Sequence, residues 1–226
     1  NCYKRRDEAV KRVFPEYHPA SYKMKIGLKS SGLTSNLPQM FYLTIIDSAG
    51  KEQTKRLPAN EFRQIEAASN FKQRSRMSIL YYHAEANHYA AIGTPNKHEV
   101  QQGFFVKNGD GGADVMPIAH LYKTQVYQLA EYLGIPEEII VRIPTTDTYS
   151  LPQGQDEFYF SLPYDKMDLC LYARNNNIAP EIAGRATGLI AKQVKRVYDD
   201  IDQKRSTTEY LHLPGLLVDP VTEVGS

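Results

Sequence analysis

The sequence predicts an α/β fold: an open sheet flanked by helices, with a small β-meander ahead of it and a helical C-terminal region. Three observations predict this. The stretch 88–93 (HYAAIG) is a short apolar run that ends in glycine and lies between two helical patterns, as a buried strand of an open sheet would. Residues 22–28 and 40–46 alternate apolar and polar side chains in the manner of strands. Beyond Arg142 the strand signals stop, and three helical segments follow a proline-containing loop.

Taken in order, 6–14 reads as an amphipathic helix, and a chain that enters a helix directly from Asn1 without a methionine reads as cut from a longer sequence. The two alternating stretches and a third, 52–57, reached through the turn residues Asp47, Ser48, Ala49 and Gly50, make a meander over 22–57. Asn60 is placed to cap a long helix running through Phe62, Ile65, Met77, Leu80 and Tyr81, on which Lys72 and Arg76 share a face. The run 88–93 then reads as a short buried strand that opens into a glycine loop. Ile118, Leu121, Tyr122, Val126, Leu129 and Leu133 form a helical stripe, closed by Gly134 and Pro136. The stretch 143–157 has two prolines, a glycine and no apolar period, which predicts a mobile functional loop or a linker. Helices are expected at 165–174, 180–187 and 192–205, within a C-terminal helical region spanning 164–214.

Composition narrows the function. A formal net charge of +1 over 226 residues argues against bulk electrostatic binding of nucleic acid or an anionic membrane, so any anion site must be local. Two cysteines far apart, Cys2 and Cys170, argue against a disulfide framework or zinc cluster and point to the reducing cytoplasm. No apolar run reaches the roughly 18–20 residues that a membrane-spanning helix needs.

The local anion site has a candidate. Segments 70–77 (NFKQRSRM) and 93–114 (GTPNKHEVQQGFFVKNGDGGAD) bring Arg74, Arg76, Thr94, Lys97, Glu99, Lys107, Asp110 and Asp114 into one stretch interleaved with glycines. Cations, a carboxylate able to hold a metal and close-approach glycines are what a polyphosphate substrate requires. In open α/β sheets ligands bind beyond the carboxyl ends of the strands, where Gly93 and Thr94 would lie. Gly111 and Gly112 also permit positive φ, so the NGDGG turn reads equally as a hairpin connection.

The segments NFKQRSRM, GTPNKHE and GFFVKNGDGGAD, the helix start HLYKTQ and the PTTD that follows resemble, in order and spacing, the C-terminal half of ammonia-dependent NAD synthetases. The match is specific from Asn70 to Thr146 and weaker to Pro214, with 1–64 a variant region in which the meander is inserted before the long helix. The resemblance implies the adenine-nucleotide α-hydrolase-like (Rossmann-like) fold, a parallel sheet flanked by helices with its N-terminal part missing, and makes the whole chain a partial NAD synthetase-like domain. It also implies an ATP- and Mg2+-dependent amidation of deamido-NAD by ammonia, a homodimer in the cytoplasm, and no nucleic-acid or membrane partner.

By the same resemblance Arg74, Lys107 and Asp114 match positions that bind deamido-NAD, and Thr94, Lys123 and Thr145 match ATP contacts. Glu99 matches the magnesium ligand, and 143–157 the loop that covers the substrates. On the residues alone, Arg74 also reads as a surface salt-bridge partner, Thr94 as a turn residue, and Glu99 and Lys123 as solvated helix positions. No catalytic side chain is singled out. Two departures stand out. The family's SGGxDS pyrophosphate loop does not occur in these 226 residues and is expected upstream of Asn1 with the first strands of the sheet. Where the family has a His-Lys pair, this sequence reads Glu209, Tyr210, Leu211, His212, Leu213 and Pro214.

Three other readings remain. One is a non-catalytic or regulatory chain that still binds dinucleotide. Another is a helix-turn-helix at 177–205, with Gly188 at the turn and Lys192, Lys195 and Arg196 on the second helix, although Asp199, Asp200 and Asp202 would repel phosphates. The third is a zinc site from His83, Glu85 and His88, although histidines five apart point in different directions on a helix.

Overall fold

A computed structural model describes residues 2–28, 40–145, 149–155, 159–160 and 162–219. The elements begin with helix α1 (Cys2–Val13), strands β1 (Lys23–Leu28), β2 (Phe41–Ile46) and β3 (Glu52–Arg56), and the long helix α2 (Ala59–Ala86). Then follow α3 (Lys97–Gln101), α4 (Lys123–Tyr132), α5 (Glu137–Ile140), α6 (Tyr164–Asn175), α7 (Pro180–Thr187) and α8 (Ala191–Thr208), with a 3-10 turn at Glu209–Leu211.

The three strands form one antiparallel sheet in the order β1-β2-β3. Met24 pairs with Ile45 and Ile26 with Leu43. The period of two therefore puts these four buried side chains on one face, against Ala9, Val10 and Phe14 of the α1 region and Ile65 of α2. The β2–β3 turn is closed by Asp47, whose Oδ1 accepts from the N–H groups of Ala49 and Lys51 at 2.9 Å, and by Gly50 at φ +84. Arg12 ties α1 to α2, its guanidinium donating to Glu61 at 2.9 Å and to Gln64 at 2.6 Å.

α2 begins one residue before Asn60. Its N-cap is Pro58, in extended geometry, with no side-chain cap, so Asn60 lies inside the first turn. Proline supplies the fixed φ that a helix start needs, which leaves Asn60 no capping role. α2 buries Ile65, Ala68, Met77 and Ala84, whereas Leu80 is 44% exposed.

The expected strand at 88–93 is not a strand. Among the described residues its sheet pairing is a single parallel bridge from Ile92 to Val115, and Ile92 is 52% exposed and Tyr89 73%. An apolar run signals a tendency to be buried; it does not supply the neighbouring strand that a ladder needs. The stripe over 118–133 is likewise reduced. α4 starts only at Lys123 and buries none of its residues. Gly134 does end it, at φ +67.

The C-terminal core is helical: Met167, Cys170 and Leu171 of α6, Ala183 of α7, and Val194, Val197 and Ile201 of α8 pack with Phe160 and Leu162. α7 ends at Gly188 in the left-handed conformation and α8 turns back, so 177–205 is a packed helical hairpin whose Lys195 is bound to Asp199 at 2.8 Å. Among the described residues no helix is long and apolar enough to cross a membrane.

Part of the 143–157 stretch, namely 146–148 and 156–157, lies outside the described residues. The rest is built into the fold. Thr145 bridges Gly154 in antiparallel fashion and Gln155 N–H donates to the Pro144 carbonyl at 3.0 Å.

Candidate functional site

α3 is a short helix whose start is fully capped. Asn96 Oδ1 accepts from the N–H of His98 at 2.9 Å and of Glu99 at 3.2 Å, and Glu99 Oε2 accepts from the Asn96 N–H at 2.7 Å. The cap fixes Glu99 at the edge of a cavity. Burial pushes the Glu99 carboxyl above the usual carboxylate range and Asp110 adds to the push, while the Asn96 N–H, Lys123 and a hydrogen bond from Gln155 act against it.

A second network locks α3 to α4 and α6. His98, fully buried, bonds through Nε2 to Asp168 and through Nδ1 to the Gln102 amide at 3.1 Å. The same carboxylate accepts from the N–H groups of Lys123 at 3.3 Å and Thr124 at 2.8 Å, so α6 caps α4. Burial alone would raise the Asp168 carboxyl; the bonds from His98 and Thr124 outweigh it and hold it below the usual range. Glu99 and Lys123 therefore sit on helices that share one buried carboxylate. Burial lowers the Lys123 ammonium, with Glu99 and Asp168 pulling it back up.

The cavity, about 760 Å³, lies between the N-terminal and C-terminal cores. Five of the seven expected site residues line it: Arg74, Thr94, Glu99, Lys107 and Thr145. Arg74 Nε donates to the Lys107 carbonyl at 3.1 Å, a backbone contact in place of the surface salt bridge that was the alternative. Lys107 Nζ donates to the carbonyls of Tyr210, at 2.9 Å, and Leu213, so the C-terminal turn is strapped to the glycine segment, with His212 edge-on to Phe105 at 5.2 Å.

The other two expected residues are not on the cavity wall. Asp114 accepts from the Tyr81 hydroxyl at 3.1 Å and the Ala91 N–H at 2.8 Å, joining α2 to the bridged segment. Lys123 approaches the rings of Tyr127 and Tyr164, at 5.3 and 5.8 Å.

The NGDGG segment is a run of tight turns with no flanking strands. Its positive φ falls on Asn108, at +60, and neither Gly111 nor Gly112 has one. Gly111 is demanded by space, since a Cβ there would lie 2.1 Å from the Phe105 ring. Gly103, also on the cavity wall, is demanded on both counts: φ is +69 and a Cβ would meet the Thr208 side chain at 2.2 Å. Gly103→Ala is expected to lower stability by about 2–4 kcal/mol, from left-handed strain plus overpacking, read as a fall in the urea midpoint at unchanged m-value.

Several wall residues lie outside the motifs that the sequence marks as functional. Phe41 and Phe62 stack at 4.0 Å between centroids, and with Tyr149 and Glu66 they close one end of the cavity. At the other end Lys204 donates to Asp200 and to the Tyr159 carbonyl, both at 2.6 Å, and lies 4.5 Å over the Tyr159 ring. Burial lowers its ammonium. Asp200 and Lys204 stand four apart on α8, a spacing visible beforehand; the aromatic end had no such signal. Among the described residues no group of three or more His, Cys, Asp or Glu is set to hold a metal, so His83, Glu85 and His88 form no zinc site.

A family model described as NAD synthase matches residues 32–210. The chain is 53% identical over 224 residues to an NH3-dependent NAD+ synthetase of Rhizobium meliloti (strain 1021), covering 99% of this chain and 66% of that protein. It is 53% identical over 216 residues to a protein of the same name from Mesorhizobium japonicum, covering 96% of this chain and 67% of that one. The chain thus spans about two thirds of the length of the curated relatives it matches. Among solved structures it is similar to an NMN synthetase from Francisella tularensis, with a TM-score of 0.54 and 25% identity over 68% of this chain and 56% of that one.

Proposed function

Since this chain belongs to the NAD synthase family, with its adenine-nucleotide α-hydrolase-like fold, we propose that it carries the deamido-NAD, magnesium and part of the ATP site of an enzyme that amidates deamido-NAD to NAD. The observation that supports this reading is the convergence of Arg74, Thr94, Glu99, Lys107 and Thr145 on one cavity.

A carboxylate and ammonia do not condense unaided, because hydroxide is a poor leaving group. In the proposed reaction a nicotinate carboxylate oxygen attacks the α-phosphorus of ATP and pyrophosphate departs. Ammonia then adds to the acyl carbon of the adenylate, AMP leaves with the C–O bond electrons, and the nitrogen gives up a proton to leave the amide. Arg74 offers a planar fork to a carboxylate or phosphate, and Lys107 a point charge beside it. Asp114, off the cavity wall, holds Tyr81 and the Ala91 N–H, and its part in binding the dinucleotide rests on the family resemblance. Thr94 and Thr145 on the cavity wall, with Lys123 acting on Glu99 from beside it, serve the ATP side.

Magnesium fits the residues present. Glu99 is a half-buried carboxylate whose charged form desolvation and nearby Asp110 disfavour, the Lys123 ammonium opposing them only in part, so a cation there would be welcome. One or two carboxylates with phosphate oxygens and water are the usual magnesium set. When bound, the ion neutralises phosphate charge.

The test is turnover of deamido-NAD, ATP and ammonium with magnesium, following AMP and NAD together. Equal yields of both are expected from the enzyme that carries the SGGxDS loop together with these residues. Binding of deamido-NAD without AMP release by that enzyme would favour the non-catalytic reading. Because of the likeness to an NMN synthetase, the deamidated mononucleotide is the competing substrate, and a parallel assay decides between them. A homodimer in the cytoplasm belongs to the same reading, and light scattering of the purified protein checks the dimer.

A further inference from the structure

We propose that the β-meander is an anchor that fixes the 149–155 segment against the cavity, and that Phe41, Ser150 and Gln155 are positioning residues for the nucleotide. The proposal rests on the function proposed above. β1 is an edge strand: β2 pairs with one side, and the other would leave unpaired backbone groups. That open side is where the segment docks. Met24 N–H donates to Ser150 Oγ at 2.8 Å, and Leu151 N–H donates back to the Met24 carbonyl at 3.0 Å. Further along β1, the Gln153 amide nitrogen lies 3.5 Å from where a Cβ on Gly27 would sit, so the segment continues beside the strand. Leu151 and Gln153 are buried there, and Tyr149 packs on the N-terminal core beside the stacked Phe41 and Phe62.

The far end of the segment is held as well. The Thr145–Gly154 bridge and the Gln155-to-Pro144 bond pinch its root. The Gln155 side chain accepts from the Tyr164 hydroxyl at 2.6 Å and donates to Glu99. The segment is thus tied at one end to the meander and at the other to the helix that presents Glu99. Tyr149 and Gln155 both line the cavity, as do Phe41 and Thr145. A segment ordered before the ligand arrives spares the ligand the entropy of ordering it. An edge cover with no further role would leave ligand binding unchanged when loosened.

The experiment compares the full chain with Ser150→Ala and Phe41→Ala, using Lys51→Ala in the exposed β2–β3 turn as control. Amide hydrogen exchange over 149–155 is expected to quicken by about tenfold in the first two and not in the control. By isothermal titration, ATP affinity is expected to fall by about five- to tenfold while that for deamido-NAD stays within about twofold. Ser150→Ala removes one hydroxyl and no core volume, so it decides the matter if Phe41→Ala does not fold. Unchanged exchange, quickened exchange with unchanged ATP affinity, or equal loss for both ligands would each overturn the proposal. Absence of ATP binding by the unsubstituted chain would overturn its nucleotide half together with the function it rests on, and exchange alone would then decide the anchor.

Discussion

Replacing Asp168 with alanine is expected to cost about 3–5 kcal/mol, because a buried carboxylate with several partners is lost and those partners stay buried. His98 would keep no acceptor at Nε2, and the first N–H groups of α4 would lose their cap. For a chain of this size that corresponds to a fall in Tm on the order of 10 °C. Asp168→Asn retains one oxygen for the Thr124 N–H and should cost roughly half as much. Acid acts on the same group. The folded carboxyl is held below its unfolded value, so its stabilisation is full above about pH 4 and fades as pH falls through the folded value. Stability of the unsubstituted chain should therefore fall more steeply below pH 4 than that of Asp168→Asn, measured by urea unfolding at each pH.

Glu99→Gln should separate function from stability. The glutamine oxygen can still accept from the Asn96 N–H, preserving the cap of α3, and the substitution removes a carboxylate that burial and Asp110 already disfavour in its charged form. Stability is expected to hold or rise by about 1 kcal/mol. Magnesium-dependent ATP binding is expected to fall by about 100-fold or more, since a neutral amide is a poor ligand for a hard dication. Titration with and without magnesium checks this. A lost Tm with unchanged binding would make Glu99 a structural cap only.

What could be read beforehand followed the range of the signal. Met24, Ile26, Leu43 and Ile45 alternate, and alternation is a local consequence of the strand, so the meander was legible. Arg74, Thr94 and Glu99 stand in motifs that the family resemblance singled out, and the fold brings them to one cavity. His98 and Asp168 are seventy residues apart in sequence, and no local pattern joins them. The Phe41–Phe62 stack and the docking of Leu151 on Met24 exist only after the chain folds back. Residues 88–93 misled because burial tendency was read as strand pairing, and the alternative hairpin reading of NGDGG fails because Gly111 is required for space beside Phe105 and not for a positive φ. Asn60 misled for a related reason: a good capping residue does not cap when proline before it has already set the helix start.

The most direct test of the account is a crystal structure of the protein with deamido-NAD, magnesium and an ATP analogue carrying a methylene bridge between its α and β phosphorus atoms, which blocks pyrophosphate release. The account predicts the dinucleotide against Arg74 and Lys107, and the triphosphate with its cation between Glu99, Thr94 and Thr145. Ligands bound elsewhere on the molecule, with that cavity empty, would contradict it.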